Sequence, residues 1–205
     1  MESIREQADR AWAGDEAASQ GTGSAGRLFE VVPGIALATG FGLSIAIQTA
    51  DGLVIVDTSG RNHGQRVVDA IRAWDDRPIR NVVYTHGHFD HVGGMPAFDA
   101  DAEARGYPRP RVIAHANVPR RFDRYTRTAG YNRHRINARQ FLAARVAIGS
   151  APKSVSKARP ASVDPDVAFE DAAGLPRRAG WPRLRAPPRA SGETDDHSLG
   201  RGSPR

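Results

Sequence analysis

Four residues with metal-ligand chemistry fall within six positions: His86, His88, Asp90 and His91, in the stretch Tyr84-Thr85-His86-Gly87-His88-Phe89-Asp90-His91-Val92-Gly93-Gly94. His86 and His88 are two apart, so in an extended segment their side chains point the same way. Asp90 and His91 follow where the pattern turns helical, which lets one loop serve two metal positions. Imidazole and carboxylate without thiol suit Zn²⁺ ahead of Fe or Mn. The chain contains no cysteine, which excludes disulfides and thiolate-ligated zinc alike. Gly87, Gly93 and Gly94 remove side chains where backbone must approach closely. A chance cluster of surface histidines is the bland reading, and placement between a strand and a helix start argues against it.

The elements that must position this loop are legible on both sides of it. Residues 79–84 (Ile79, Val82, Val83, Tyr84) predict a short buried strand leading in. Upstream, residues 53–56 form a continuous apolar run, the pattern of a strand buried on both faces. It ends in Asp57-Thr58, and polar residues at a strand end either carry chemistry or cap the next turn. Between the two strands, Val67, Val68, Ile71 and Trp74 recur at helical spacing over residues 62–74, and Arg77-Pro78 ends the helix. Residues 28–32, 35–38 and 43–49 predict further strands, separated by turns at Pro33-Gly34 and Gly40 to Gly42. After the loop come a short helix or turn over 96–103, a strand over 111–114 ending at His115, and an arginine-rich, partly helical stretch over 117–146.

The organisation expected is a flexible leader over 1–26, one domain over 27–148, and a Pro/Arg-rich tail over 149–205. The tail holds eight of the 14 prolines and little aliphatic content, too little to offset its chain entropy, so it is expected to be disordered. No stretch is long and apolar enough to span a membrane, and the N-terminus lacks the basic-then-apolar order of a signal peptide. A cytoplasmic protein with no membrane partner is the expectation.

The net charge of +6 is uneven. Residues 105–145 carry eleven arginines against one acid, Asp123. Such a block is either a solvated face or a surface for anions. Arg120, Arg121, Arg124, Arg127, Arg133, Arg135 and Arg139 suit a small anionic ester, since a guanidinium grips sulfate, phosphate or carboxylate with two prongs. Tyr131, Asn132 and Asn137 add hydrogen-bonding groups for such a substrate.

The His86-x-His88-x-Asp90-His91 run, with Leu53-Val54-Ile55-Val56-Asp57-Thr58 upstream, resembles the signature of the metallo-β-lactamase-fold hydrolases. Ala114-His115, then Pro119 to Tyr125, Thr128-Ala129-Gly130-Tyr131-Asn132 and the stretch from Ile136-Asn137 to Phe141 resemble the alkyl-sulfatase-like branch. The resemblance covers about residues 28–145. It implies an α/β fold, an αββα sandwich of which this chain would supply the N-terminal half. It implies two zinc ions, one on His86 and His88 and one on Asp90 and His91, with a hydroxide between them as nucleophile and Asp90 orienting it. Zinc-bound water ionises near pH 7, so hydroxide would be available at neutral pH. Gly192-Glu193-Thr194-Asp195-Asp196-His197 resembles the turn that supplies a further ligand, with Glu193 in the histidine's place; a solvated, idle acidic cluster is the equal alternative. The implied activity is hydrolysis of an ester, a sulfate ester being favoured. A nuclease of the same fold, and a truncated metal-binding fragment without turnover, are the competing readings; a nucleic-acid partner is not the expectation.

Overall fold

The computed structural model describes residues 4–15, 26–131, 163–173 and 184–185. A first helix, α1 (Ile4–Trp12), occupies part of the expected leader. Four strands follow as a meander: β1 (Leu28–Val32), β2 (Ile35–Ala38), β3 (Ser44–Thr49) and β4 (Gly52–Val56), each antiparallel to the one before. The remaining strands of the sheet are parallel: β5 (Ile79–Tyr84), β6 (Arg111–His115) and β7 (Val167–Phe169). Strand order across the sheet is the chain order. Parallel neighbours need crossovers. These are made by α2 (Gly64–Trp74) between β4 and β5, and by α3 (Phe89–Val92) with α4 (Met95–Ala104) between β5 and β6. Helix α5 (Asn117–Tyr131) follows β6.

The register explains which side the helices take. Ala36, Ala46, Ile55, Val82 and Val112 lie opposite one another across five strands. Alanines on β2 and β3 and larger residues on β4 to β6 make this row the floor of the core. Val67, Val68 and Ile71 from α2, Val92, Met95 and Phe98 from α3 and α4, and Val118 and Phe122 from α5 pack into the same cluster. Each such side chain contributes roughly 1.5–3 kcal/mol by leaving water. The other face of the sheet is apolar too: Leu37, Ile45, Val56, Val83 and Ile113 form the corresponding row. Val83 and Ile113 are buried, while Ile45 is exposed. Strands β4 and β5 are thus apolar on both faces, the pattern that made residues 53–56 legible.

One element differs from the sequence reading, and another settles an alternative it left open. Strand β7 lies inside the stretch expected to be tail, because Val163 is fully buried in the core and Asp166 anchors the segment to β6. The Asp166 carboxylate accepts from the Val112 amide at 2.7 Å. Three residues of edge strand leave too weak an apolar pattern to be read from sequence. The stretch over 96–103 is a full helix, with Pro96 in its first turn, where a missing N–H costs nothing. A separate small unit begins at Asp171, where Ala172–Ala173 pairs antiparallel with Leu184–Arg185. Among the described residues no helix is long and apolar enough to cross a membrane.

Candidate metal centre

The loop lies where the parallel strands β4 and β5 end, and residues from both ends meet there. Asp57 continues the ladder, its amide donating to the Val83 carbonyl, and then turns with φ 60. Ser59 repeats the conformation with φ 64. Left-handed backbone at two non-glycine residues is uncommon and persists only where surroundings impose it. Here those surroundings are the metal loop. The Thr58 amide donates to the His91 carbonyl at 2.6 Å, and the Thr58 hydroxyl adds a bond to the same oxygen at 3.1 Å. The Gly94 amide donates to the Ser59 carbonyl at 2.9 Å. Gly94 faces the Thr58 carbonyl and Gly64 at the start of α2 so closely that a Cβ would overlap that carbonyl.

Proton bookkeeping assigns the three imidazoles. Asp57 is 4% exposed and its carboxylate only accepts. Its Oδ1 accepts from the Thr85 amide at 2.8 Å, and its Oδ2 from the Thr85 hydroxyl at 2.6 Å. Nδ1 of His91 lies 2.8 Å from the same Oδ2, and a carboxylate only accepts, so His91 carries a proton on Nδ1. The Thr85 hydroxyl has a single proton and gives it to Asp57. Toward Nδ1 of His86, 2.9 Å away, it therefore accepts, and His86 is protonated on Nδ1 as well. Nε2 of His88 receives the Arg121 Nη2 donor at 2.7 Å, and a guanidinium only donates. In a neutral ring the Nδ1 proton leaves Nε2 of His86 and of His91 open, and Nε2 of His88 is open to the Arg121 donor. The rings cluster, with centroids 4.5 Å apart for His86 and His88 and 4.1 Å for His86 and His91. Asp90 Oδ2 stands 3.5 Å from Nε2 of His91.

The surroundings favour the neutral rings that metal ligation needs. Burial, then repulsion from His91 and His88, lowers the His86 pKa; burial, then the Arg121 charge, lowers that of His88. The ligand-type atoms of Asp57, His86 and His91 converge to within 4.8 Å. Asp57 is nonetheless better suited to aiming ligands than to ligating, because its oxygens already hold Thr85 and His91. Three clustered imidazoles with the Asp90 carboxylate beside them fit a divalent cation.

Of the residues singled out from sequence, His86, His88, Asp90 and His91 are therefore brought together. Tyr131 ends α5 and is 63% exposed. Asn132, Asn137, Arg139 and Glu193 lie outside the described residues. His115 is committed elsewhere: its Nδ1 accepts from the Asn117 amide and its Nε2 meets the Glu170 carbonyl at 2.8 Å. Sequence reasoning missed Thr85, whose signal was a hydroxyl at the strand end immediately before the first histidine.

The family model described as the metallo-beta-lactamase superfamily matches residues 37–193. A linear primary-alkylsulfatase from a Pseudomonas species is 37% identical over 60 residues, which are 29% of this chain and 11% of the relative. The chain thus matches about a tenth of that relative's length. Among solved structures, the stereoselective inverting sec-alkylsulfatase Pisa1 from Pseudomonas sp. superposes with a TM-score of 0.38 at 29% identity, over 46% of this chain and 16% of that one. A Cronobacter sakazakii metallo-beta-lactamase superposes with a TM-score of 0.41 at 20% identity, over 51% and 39%. With the family model spanning most of its length, the chain belongs to the metallo-beta-lactamase superfamily.

Proposed function

We propose that this chain is a zinc-dependent hydrolase of a small anionic ester, a sulfate ester being favoured. Membership of the superfamily implies divalent-metal binding, and the observation that carries the reading is that the rings of His86, His88 and His91 gather in one loop beside the Asp90 carboxylate. His86 and His88 would hold one zinc, Asp90 and His91 a second, with Glu193 as a further ligand. A bound zinc would supply Lewis acidity and a water acidic enough to ionise near neutral pH. The chain's own contribution is orientation. Asp57 and Thr85 hold two imidazoles in the ligating tautomer, and Thr58 holds the loop backbone on which His91 is carried. Asp90 would align the attacking water, while Tyr131, Asn132, Asn137 and Arg139 would contact the substrate.

The sulfate preference is supported by the alkylsulfatase relative and by the basic α5 beside the loop. Purified protein loaded with zinc should contain close to two metal ions per chain and release sulfate from a medium-chain alkyl sulfate. His86→Ala should lower the zinc content. Protein that takes up no zinc when it is supplied would defeat the reading. Zinc uptake with salt-sensitive polynucleotide cleavage, and no sulfate release, would favour the nuclease instead.

A further inference from the structure

Helix α5 divides its arginines between two faces. On the inner face Val118 and Phe122 are buried in the core, and Arg121 lies against the metal loop. The Arg121 guanidinium carbon stands 4.9 Å from the centroid of the Tyr125 ring, a cation–π distance. Gly87 makes room for it, since a Cβ there would stand 2.9 Å from Cβ of Arg121. The outer face is open. Arg120, Arg124, Arg127 and Tyr131 recur at helical spacing along it, and all four are exposed. At 3.6 residues per turn they fall within an arc of about 60°, pointing away from Val118 and Phe122. Among the described residues no carboxylate pairs with any of the three arginines; Arg120 bonds the neutral Asn117 side chain at 3.2 Å. Asp123, the one acid of the helix, lies off the row.

Like charges one helical turn apart repel one another. A chain of phosphates supplies the missing counter-charges at regular intervals, and each guanidinium can grip one with two N–H donors. The Tyr131 ring, 63% exposed at the end of the row, offers a flat surface to a base. A lipid surface fits less well, because the apolar side of α5 is committed to the core and has nothing to insert. We propose that the outer face of α5 is a docking surface for a single-stranded polynucleotide, held through its phosphates by Arg120, Arg124 and Arg127 with a base on Tyr131. This binding needs neither metal nor turnover. It goes beyond the hydrolase reading and shares only Tyr131 with it.

The test is fluorescence anisotropy of a labelled oligodeoxythymidylate of about twelve nucleotides, titrated with the zinc-free full chain at several salt concentrations. Wild type is compared with the double variant R124M/R127M, with Y131A, and with R66M, which removes an exposed arginine from α2. Each neutralised phosphate of a single strand adds about 0.7 to the fall of log affinity with log salt. The double variant should bind more weakly, with a slope smaller by about 1.4. Y131A should lose about fivefold in affinity at an unchanged slope, as the loss of one stacked base requires. R66M should match wild type. Should the double variant lose its helix by circular dichroism, R124M alone carries the test, with a slope smaller by about 0.7. Absence of binding by wild type would overturn the proposal. So would a slope unchanged in the arginine variants or lowered equally in R66M, which places the binding on arginines elsewhere in the chain. Preference for phosphatidylserine vesicles over the oligonucleotide would overturn it in favour of a membrane. The zinc titration of the hydrolase reading is a separate measurement, so failure of either leaves the other standing.

Discussion

Oδ2 of Asp57 lies 2.8 Å from Nδ1 of His91, and this one contact decides which nitrogen of His91 is available to a metal. Asp57→Asn separates that role from the backbone, because asparagine tolerates the left-handed conformation as well as aspartate does. The carboxamide introduced by this change can donate to Nδ1, which would move the ring proton to Nε2 and close the ligating position. We expect zinc affinity to fall about 10- to 100-fold, the usual cost of losing such a partner, with the fold retained. Calorimetry with a thermal melt checks both, and undiminished zinc affinity in a folded variant would show that Asp57 does not set the tautomer.

Much of this arrangement was legible in the sequence, and the reasons differ by residue. The candidate loop was legible because four donor residues crowd into it. The strands that hold it were legible because residues 53–56 are a continuous apolar run and residues 79–84 carry Ile79, Val82, Val83 and Tyr84. What the sequence did not settle was why Asp57 matters. A carboxylate after a buried strand caps turns as often as it serves chemistry, and only the pairing of β4 with β5 brings it to Thr85 and His91. Arg121 was one basic residue among many until Gly87 and Tyr125 set it apart. Strand β7 escaped because its place is set by Asp166 and by pairing with β6 rather than by its own composition.

Gly94 tests the packing beneath the loop. Its φ of -78 is ordinary, so alanine there meets no backbone strain and only the overlap with the Thr58 carbonyl. That carbonyl belongs to the residue that donates twice to His91. Gly94→Ala should therefore lose about 1–3 kcal/mol of stability, as overpacked sites do, and weaken zinc binding as well. Urea unfolding of the zinc-free protein gives the first quantity. A variant as stable as wild type would mean that the Thr58–Gly94 approach is not constrained.

The histidine environment sets a pH window for metal. Burial first, and neighbouring positive charge second, lowers the pKa of His86 and His88 from the ordinary 6.5. Protons compete with metal only below the lowered values. Zinc affinity should stay nearly level as pH falls from 7.5 to 6.5 and drop only below that. Zinc titrations across this range provide the check, and a loss already centred above 6.5 would contradict the assigned environment.

The pair that ties α2 to α4 supports the platform under the loop. Arg72 and Asp101 are 7% and 9% exposed at the side chain. Arg72 also donates to the Arg77 carbonyl at 2.6 Å, and Arg105 bonds Asp101 at 2.9 Å. Burial opposes the Asp101 charge, but the Arg72 and Arg105 hydrogen bonds outweigh it and bring its pKa below the ordinary 3.8. A carboxylate lowered in the folded state supplies stability that is present above the unfolded value and lost as pH falls through the folded one. Arg72→Met leaves Asp101 buried with Arg105 alone, and should cost about 3 kcal/mol at neutral pH, the low end for breaking a buried pair. In the variant burial meets less opposition, so the Asp101 pKa rises and protonation relieves the unpaired charge. The stability gap between wild type and variant should then narrow as pH is lowered toward 4. Urea unfolding at the two pH values measures this. A gap that stays constant would mean that the cost lies in lost packing of the arginine stem and not in the stranded carboxylate.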